Sequence, residues 1–313
     1  MTDHHGRTMP SFEGPLLVGI DIGGTKIAVL VCDESRRVLA RGEAPAPVAD
    51  GGSAVADAAA RLVHQLTSGR TVRAAGVGAA GVIDHESGSI RAASATFTDW
   101  VGFPLASELA DRLGCVVTVE NDVNAFLLGE ASPDEQDVLG VMLGTGVGGA
   151  VLMDGELRRG PHGAAGEIGH TPGYGDLLCT CGQTGHLETL ASGTSIALRY
   201  TARTGRTVAG SREVAALADA GDADALAVFR DAGRALGTAC ASAAALLDIS
   251  DAIVGGGVAR AWHLLQPGID DALRTDAPVT GIPLRIRPAT HGADAVALGA
   301  IASARALALV PVA

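Results

Sequence analysis

Two stretches of the chain share one pattern: an apolar strand, a glycine-rich turn and a second apolar strand. The first is LLVGIDIGGTKIAVLV over residues 16–31, and the second is VLGVMLGTGVGGAVLMDGEL over residues 138–157. Adjacent glycines exclude a helix across either turn. An offset of 121 residues places Gly23 on Gly144, and the flanking aliphatic residues coincide. The repeat therefore predicts an internal duplication.

Helical and strand patterns alternate between and after these two stretches. Apolar residues at helical spacing, each set followed by glycine, predict helices over 55–66 and 105–113. Apolar runs predict strands over 74–82 and 115–119. Further along, the patterns predict an Asp154-Gly155 hairpin turn, a strand over 252–254, and helices over 214–218, 223–247 and 295–309. Alternating strands and helices are typical of an α/β fold.

Length and charge narrow the class of protein. The 313 residues suffice for two domains, and 23 Lys and Arg against 35 Asp and Glu give a net charge of −12. Because no broad positive field is available, we expect neither nucleic acid nor an anionic membrane as a partner. The polar start, residues 1–14, lacks the apolar stretch of a secretory signal. The uncharged run over 138–153 is shorter than the ~18 residues of a spanning helix. We therefore expect a cytoplasmic protein.

Three glycine-rich turns follow apolar strands. Such turns let several backbone N–H groups approach a phosphate with no Cβ in the way. They are Gly23-Gly24-Thr25-Lys26, Gly144-Thr145-Gly146, which continues to Gly149, and Gly255-Gly256-Gly257. One such turn alone would indicate a tight hairpin, whereas three indicate phosphate binding. A dinucleotide site at Gly144-x-Gly146-x-x-Gly149 is disfavoured because a strand, not a helix, follows it. A P-loop is excluded because Thr25 precedes Lys26.

Carboxylates stand at two predicted strand ends. Asp21 ends the first strand, where it could approach a magnesium ion held by phosphates, the alternative being a solvated turn aspartate. Asp122 lies in Glu120-Asn121-Asp122-Val123-Asn124-Ala125, between a strand and a helix. There a carboxylate can accept a proton from a substrate hydroxyl while the amides of Asn121 and Asn124 orient it. The alternative for this segment is helix capping.

Two histidines and two cysteines form the pattern H-x8-C-x-C-x4-H. His170, Cys179, Cys181 and His186 match the ligand types and number of a closed tetrahedral zinc site. The alternative is a loop with two free thiols and two solvated histidines. Glu167 and Glu188 flank the set, either as acceptors for sugar hydroxyls or as surface charge. Neither a Gly-x-Ser-x-Gly elbow nor a His-Glu-x-x-His helix occurs, which removes the commonest serine hydrolase and zinc protease interpretations.

Together these segments resemble the ROK family (repressors, open reading frames and sugar kinases). The resemblance spans about residues 16–309, and its combination of motifs is highly specific. The motifs that carry it are Asp21-Ile22-Gly23-Gly24-Thr25-Lys26, Glu120-Asn121-Asp122-Val123-Asn124-Ala125, Leu143-Gly144-Thr145-Gly146-Val147-Gly148-Gly149, Gly166-Glu167-Ile168-Gly169-His170, and Cys179-Thr180-Cys181-Gly182-Gln183-Thr184-Gly185-His186-Leu187-Glu188. Where the family commonly has a third cysteine, this chain has His186, which is also a competent zinc ligand.

The resemblance implies an α/β fold of two duplicated ribonuclease-H-like domains of the actin/hexokinase type, with a cleft between them. We expect a flexible tail over 1–14, a small domain over 15–125 plus 295–313, and a large domain with the zinc loop over 126–294.

The resemblance also implies the site residues. The first two turns would hold ATP phosphates, through Asp21, Gly23, Gly24, Thr25 and Lys26 and through Gly144, Thr145 and Gly146. Gly255, Gly256 and Gly257 would lie near the adenosine. Asp122 would be the catalytic base, and Asn121, Asp122, Glu167, His170, Glu188 and Gly81 would bind sugar. His170, Cys179, Cys181 and His186 would hold a structural Zn²⁺.

The expected function is phosphoryl transfer from MgATP to a hexose hydroxyl, O6 of glucose in the first place. Three alternatives stay open. Two lie within the family, an N-acetylmannosamine or N-acetylglucosamine kinase and a fructose kinase, and the third is a sugar-sensing regulator without turnover. The expected partners are the hexose and ATP, in a homodimer or homotetramer.

Overall fold

The computed structural model describes residues 14–94 and 96–308. The predicted tail over 1–14 lies outside the described residues except for Gly14, as does the predicted helix end at Leu309. The chain divides into two compact units, the first running to Asp122 and resuming at Ala300, and the second comprising Val123–Gly299. The domain boundaries expected from the sequence, near residues 125 and 295, stay predictions.

Twelve strands are present in the described residues. They are β1 Leu16–Ile22, β2 Lys26–Cys32, β3 Val38–Pro45, β4 Val72–Ala79, β5 Val82–Asp84, β6 Ser89–Ala92, β7 Val116–Asn121, β8 Val138–Leu143, β9 Val147–Met153, β10 Glu156–Leu157, β11 Asp251–Gly255 and β12 Arg285–Pro288.

Nine α-helices accompany them in the same residues. They are α1 Gly52–Thr67, α2 Leu105–Leu113, α3 Asp122–Glu130, α4 Glu188–Ala191, α5 Gly193–Thr204, α6 Ser211–Asp219, α7 Ala223–Leu247, α8 Trp262–Thr275 and α9 Ala295–Ala308. The predicted start and end of the long helix α7 are confirmed, and its N-terminus is capped by the Asp222 side chain, which accepts the N–H groups of Asp224 and Ala225, each at 3.0 Å. None of these helices is both long and apolar enough to cross a membrane, in the part of the chain that the structure describes.

The two main sheets have the same topology. The first has the strand order β3-β2-β1-β4-β7 and the second β10-β9-β8-β11-β12. In each sheet the first three strands are antiparallel, and the last three are parallel. The internal duplication predicted from the two strand–turn–strand stretches is therefore confirmed at the level of sheet order.

The second hairpin ends at the predicted Asp154-Gly155 turn. Asp154 has φ 55° and Gly155 has φ 72°. Positive φ at both central residues is what a type I′ turn requires, and its twist matches that of the flanking strands. The prediction of this turn is confirmed.

The sequence patterns were wrong at two places in the first sheet. The strand predicted over 74–82 ends at Ala79, and β5 begins only at Val82. Between them Gly81 adopts φ 114°, where a Cβ would lie 2.5 Å from the Ala92 carbonyl oxygen, so the chain turns there. Strand β3 was missed because its side chains are exposed or half-buried and include Arg41 and Glu43, which removes the apolar signal.

Each sheet packs on its own aliphatic core. In the first unit α1 and α2 pack against the sheet. In the second unit α4 to α8 share one core with the sheet, and α4, α5, α6 and α8 all pack on α7. Some glycines serve close backbone packing instead of phosphate binding. A Cβ on Gly299 of α9 would lie 1.7 Å from the Ala125 carbonyl oxygen of α3, and one on Gly129 of α3 would lie 2.0 Å from that of Ala295. These helices can approach this closely only because both positions lack a side chain.

Candidate active site

The predicted residues of the first unit gather at the carboxyl ends of its parallel strands. Asp21 of β1 is paired in register with Gly78 of β4, and Gly78 with Glu120 of β7. Asn121 ends β7, and Asp122 begins α3. Ligands of open α/β sheets bind outside this edge of the strands. The strand order therefore places Asp21 and Asp122 at the edge where chemistry is expected.

Asn121 holds the carboxylate of Asp122 in place. The Nδ2 amide of Asn121 donates to Asp122 Oδ1 at 3.0 Å and to the Gly81 carbonyl oxygen at 2.9 Å. Gly81 thus enters the site through its backbone carbonyl. One amide group connects the end of β7 to the turn that follows β4, and it orients the carboxylate predicted to act as a base.

A buried tryptophan supports the same turn. Trp100 is 1% exposed, and its indole Nε1–H donates to the Ala80 carbonyl oxygen at 3.1 Å. Its ring stacks between those of Phe97 and Phe103, at centroid distances of 4.9 and 5.8 Å. The sequence indicated residues 96–104 as an edge of the pocket but did not single out Trp100, although one of only two tryptophans in an aromatic-poor chain was a usable signal.

Asp21 is electrostatically perturbed. Burial in the first place, and then the nearby Asp122 charge, raise the pKa of its carboxyl to about 7, while Lys26 opposes the shift. Strongly perturbed carboxyls gather at functional sites, which supports a role for this pair beyond structure. The Lys26 ammonium itself pairs with Glu43 across the β2–β3 ladder.

The first glycine turn is a short hairpin loop between β1 and β2. The Gly23 N–H donates to the Lys26 carbonyl oxygen at 3.0 Å. A Cβ on Gly24 would lie 3.1 Å from Thr96 Cγ2, so the loop also packs closely against that side chain.

In the second unit the two other glycine turns lie side by side. Gly144-Thr145-Gly146 joins β8 to β9, and Gly255 pairs with Met142 on the neighbouring strand. Gly256, at φ 90°, approaches so closely that a Cβ would lie 2.4 Å from the Leu143 carbonyl oxygen. The structure therefore brings together two of the three turns predicted to contact a nucleotide.

The start of α5 anchors the Gly144 turn. The Gly193 N–H donates to the Gly144 carbonyl oxygen at 2.8 Å, and the Thr194 hydroxyl donates to that of Thr145 at 2.9 Å. Both turn carbonyls are thus bound from one side by a helix N-terminus.

The four predicted metal ligands converge. The candidate ligand atoms of His170, Cys179, Cys181 and His186 all lie within 4.8 Å of one another. Nδ1 of His170 is 3.4 Å from Nδ1 of His186 and 3.7 Å from Cys179 Sγ, and His186 Nδ1 is 3.3 Å from Cys181 Sγ. Around a tetrahedral ion with metal–nitrogen and metal–sulfur bonds of about 2.0 and 2.3 Å, ligand atoms stand roughly 3.3–3.8 Å apart. These three separations match those around a four-coordinate ion.

Glu188 lies between this cluster and the Gly144 turn. Glu188 is 7% exposed. Its Oε2 accepts the Val147 N–H at 2.9 Å, and its Oε1 accepts the Thr180 hydroxyl at 2.6 Å. The carboxylate predicted to bind sugar therefore also has a role within the protein. Sequence reasoning missed Thr180, whose only signal was its place between two predicted ligands.

Glu167 lies beside a largely apolar cavity of about 600 Å³ in the second unit, between β8, β9 and the end of α7. Partial burial raises the pKa of the Glu167 carboxyl, and the neighbouring His170 opposes the shift.

The residues predicted from the sequence form two groups, one in each unit: Asp21, Gly23, Gly24, Thr25, Lys26, Gly81, Asn121 and Asp122, and then Gly144, Thr145, Gly146, Glu167, His170, Cys179, Cys181, His186, Glu188, Gly255, Gly256 and Gly257.

Comparison with known proteins identifies relatives along nearly the whole chain. A family model described as "ROK family" matches residues 17–306. The chain is 34% identical over 271 residues to a glucokinase of Streptomyces coelicolor, covering 80% of this chain and 84% of that one. It is 32% identical over 290 residues to an N-acetyl-D-glucosamine kinase of Salmonella heidelberg, covering 88% and 94%.

A solved structure shows the same fold. It is that of a ROK family glucokinase from Streptomyces griseus in complex with glucose and AMPPNP, with a TM-score of 0.79, 33% identity, and coverage of 93% of this chain and 99% of that one.

Proposed function

The chain belongs to the ROK family, and from that membership we propose that it is an ATP-dependent hexose kinase whose acceptor is the 6-hydroxyl of glucose. The observation that carries the proposal is the Asn121–Asp122 pair, a carboxylate oriented by an amide at the carboxyl end of β7, the parallel edge strand of the first sheet. The similar glucokinases, one of them solved with glucose and an ATP analogue, support the choice of sugar and nucleotide.

In the proposed reaction Asp122 accepts the proton of the sugar hydroxyl. The hydroxyl oxygen forms a bond to the γ-phosphorus, the bond from that phosphorus to the β–γ bridging oxygen breaks, and ADP leaves. Asn121 keeps the carboxylate directed at its substrate by donating to Oδ1. A positioned base supplies about 10²–10⁴-fold in rate.

Backbone N–H groups of the glycine turns bind the ATP phosphates in this proposal, through Gly23, Gly24 and Thr25 in the first unit and Gly144, Thr145 and Gly146 in the second. Backbone donors with no Cβ nearby suit an anion in a chain whose net charge is −12. Gly255–Gly257, which pack against the end of β8, contact the adenosine side of the nucleotide.

Asp21 is the residue that would hold Mg²⁺ with ATP. Its raised pKa reflects burial and the Asp122 charge, and a divalent cation compensates such a pair. When bound, Mg²⁺ neutralises the phosphate charge.

The four-residue cluster of His170, Cys179, Cys181 and His186 would hold a structural Zn²⁺. Its ligand separations and its donor set support zinc. With four protein ligands such an ion orders its loop and takes no part in the chemistry. With Nδ1 on the ion, the Nε2 atom of His170 would be left for a sugar hydroxyl, beside Glu167 and Glu188.

The test is an ADP-release assay on a panel of hexoses with ATP, followed by ³¹P–¹H NMR of the product to locate the phosphate. Glucose is expected to give the highest kcat/KM and a 6-phosphate. The Salmonella relative favours one other candidate, N-acetylglucosamine, which would have the highest kcat/KM if the chain is an N-acetylhexosamine kinase. Sugar binding without ADP release from any hexose would indicate a sugar-sensing regulator and overturn the proposal.

The base is tested by Asp122→Asn, which keeps the shape of the side chain. We expect kcat to fall about 10²–10⁴-fold with glucose affinity nearly unchanged. Asp111→Asn, on the exposed side of α2, is the matched control and should retain the wild-type rate. Near-wild-type turnover of the Asp122→Asn variant would remove Asp122 from the role of base.

A further inference from the structure

The loop that carries Cys179 and Cys181 contacts the glycine turn of the second unit through one carboxylate. Glu188 accepts the Thr180 hydroxyl on Oε1 at 2.6 Å and the Val147 N–H on Oε2 at 2.9 Å. Thr180 stands between the two cysteines, and Val147 directly follows the Gly144-Thr145-Gly146 turn. Two segments far apart in the chain therefore share the two oxygens of one side chain.

The turn is packed directly onto this carboxylate. A Cβ on Gly146 would lie 2.4 Å from Glu188 Oε2. A rotation that turns Oε2 away therefore removes the acceptor of the Val147 N–H. The Val147 N–H at the end of the turn depends on the orientation of Glu188, whose other oxygen accepts the Thr180 hydroxyl at 2.6 Å and lies 3.7 Å from the Cys179 Sγ.

We propose that Thr180 is a positioning residue that, through Glu188, couples occupancy of the His170–Cys179–Cys181–His186 metal site to nucleotide binding at the Gly144 turn. This inference rests on the proposed function, because it takes the turn to be a phosphate-binding element.

The coupling follows from where Thr180 is attached. Its two chain neighbours are both metal ligands, so a bound ion holds its backbone on either side. The hydroxyl then stays within hydrogen-bonding distance of Glu188, and a hydrogen bond to a charged acceptor is among the stronger ones. Without the ion the loop loses this restraint, and the acceptor of the Val147 N–H loses its orientation. Because coupling is reciprocal, bound nucleotide should tighten metal binding by the same factor.

The variant that tests the role is Thr180→Val, which removes the hydroxyl and keeps the shape. Thr180 is exposed, so this change should leave the fold intact. Thr180→Ser restores the hydroxyl and serves as the rescue variant. Thr184→Val, an exposed threonine of the same loop, is the matched control. Metal content and thermal midpoint establish that each protein is folded and loaded.

The first measurement is the Kd of a non-hydrolysable ATP analogue by calorimetry, with Zn²⁺ bound and after chelation. In the wild type we expect chelation to weaken analogue binding about five- to tenfold. Thr180→Val with Zn²⁺ bound should bind the analogue about as weakly as the chelated wild type, and chelation of the variant should weaken binding little further. Comparing wild type and variant, each with and without Zn²⁺, isolates the interaction between Thr180 and the metal. Thr180→Ser and Thr184→Val should behave as the wild type. Equal effects of chelation in the wild type and Thr180→Val, or no recovery with serine, would overturn the coupling.

The second measurement needs no nucleotide. Hydrogen exchange of the peptide containing Val147 should quicken about five- to tenfold on chelation of the wild type, and equally in loaded Thr180→Val. If the wild type binds no ATP analogue but the exchange behaves as expected, the proposed kinase function fails and the link from Thr180 to the turn stands. Unchanged exchange in Thr180→Val overturns the link itself.

Discussion

Replacing Asp21 by asparagine should stabilise the protein, increasingly so as the pH rises. The folded chain holds this carboxyl at a pKa of about 7, against its ordinary value of 3.8, first because of burial and then because of Asp122. A raised carboxyl pKa means that the folded state binds more protons than the unfolded state between these two values. Wild-type stability therefore falls as the pH rises from about 4 to about 7, and it levels off above that. Asparagine is neutral throughout and escapes this loss.

The size of the effect follows from the shift. Each pKa unit corresponds to about 1.4 kcal/mol, so the roughly three units give an upper limit of about 4 kcal/mol at pH 8. At pH 5 only about one unit separates the pH from the unfolded pKa, and the expected gain is about 2 kcal/mol or less. Partial exposure of Asp21 reduces both figures, but the rise with pH remains.

The assay is urea unfolding of wild type and Asp21→Asn, without added Mg²⁺, at pH values from 5 to 8.5. Asp111→Asn, on an exposed face, controls for loss of one negative charge. Asp33→Asn is expected to have the opposite sign, because hydrogen bonds from Ser35 and Arg37 lower the pKa of that carboxyl. A difference between Asp21→Asn and wild type that does not change with pH, or a less stable variant at pH 8, would refute the reasoning.

Three further outcomes are expected. Gly299→Ala should destabilise the protein by about 2 kcal/mol or more and lower its thermal midpoint, since the added Cβ would lie 1.7 Å from the Ala125 carbonyl oxygen. Gly210→Ala, where the added Cβ meets open space, is the control and should lower the thermal midpoint much less. Trp100→Phe keeps an aromatic ring in the stack but loses the hydrogen bond to Ala80, and steady-state kinetics should show kcat reduced about fivefold, the equivalent of about 1 kcal/mol. A wild-type rate would mean that this bond does not support the site. Removal of the metal by a chelator should lower the thermal midpoint and raise the KM for glucose, and zinc should restore both; protein that holds no stoichiometric zinc when purified without chelator would contradict this.

Local sequence patterns were sufficient for most of the framework. The hairpin turn at Asp154-Gly155 was predictable because its backbone angles favour these residue types. The range of α7 was predictable because an apolar period continues over 25 residues after a capping aspartate. The break at Gly81 was not, since it depends on a close approach to Ala92 that no residue near Gly81 in the chain reports.

In the candidate site, too, some features follow from local sequence patterns and others do not. The convergence of two histidines and two cysteines was predictable because the four residues lie within 17 residues of the chain and have the donor types that zinc selects. The contact of Glu188 with Val147 was not, because 41 residues separate them and nothing in the spacing indicates which backbone N–H a buried carboxylate accepts. The same holds for Asn121 and Gly81, 40 residues apart.

The duplicated strand–turn–strand units, their order along the chain and the types of chemical group available can all be inferred from the sequence. These follow from residue type and period, which are local properties. The contacts between these groups become visible only in the folded chain: Asn121 with Asp122 and Gly81, and Glu188 with both Thr180 and Val147. Such contacts depend on how strands and helices pack, and packing depends on shape and on every neighbouring side chain at once.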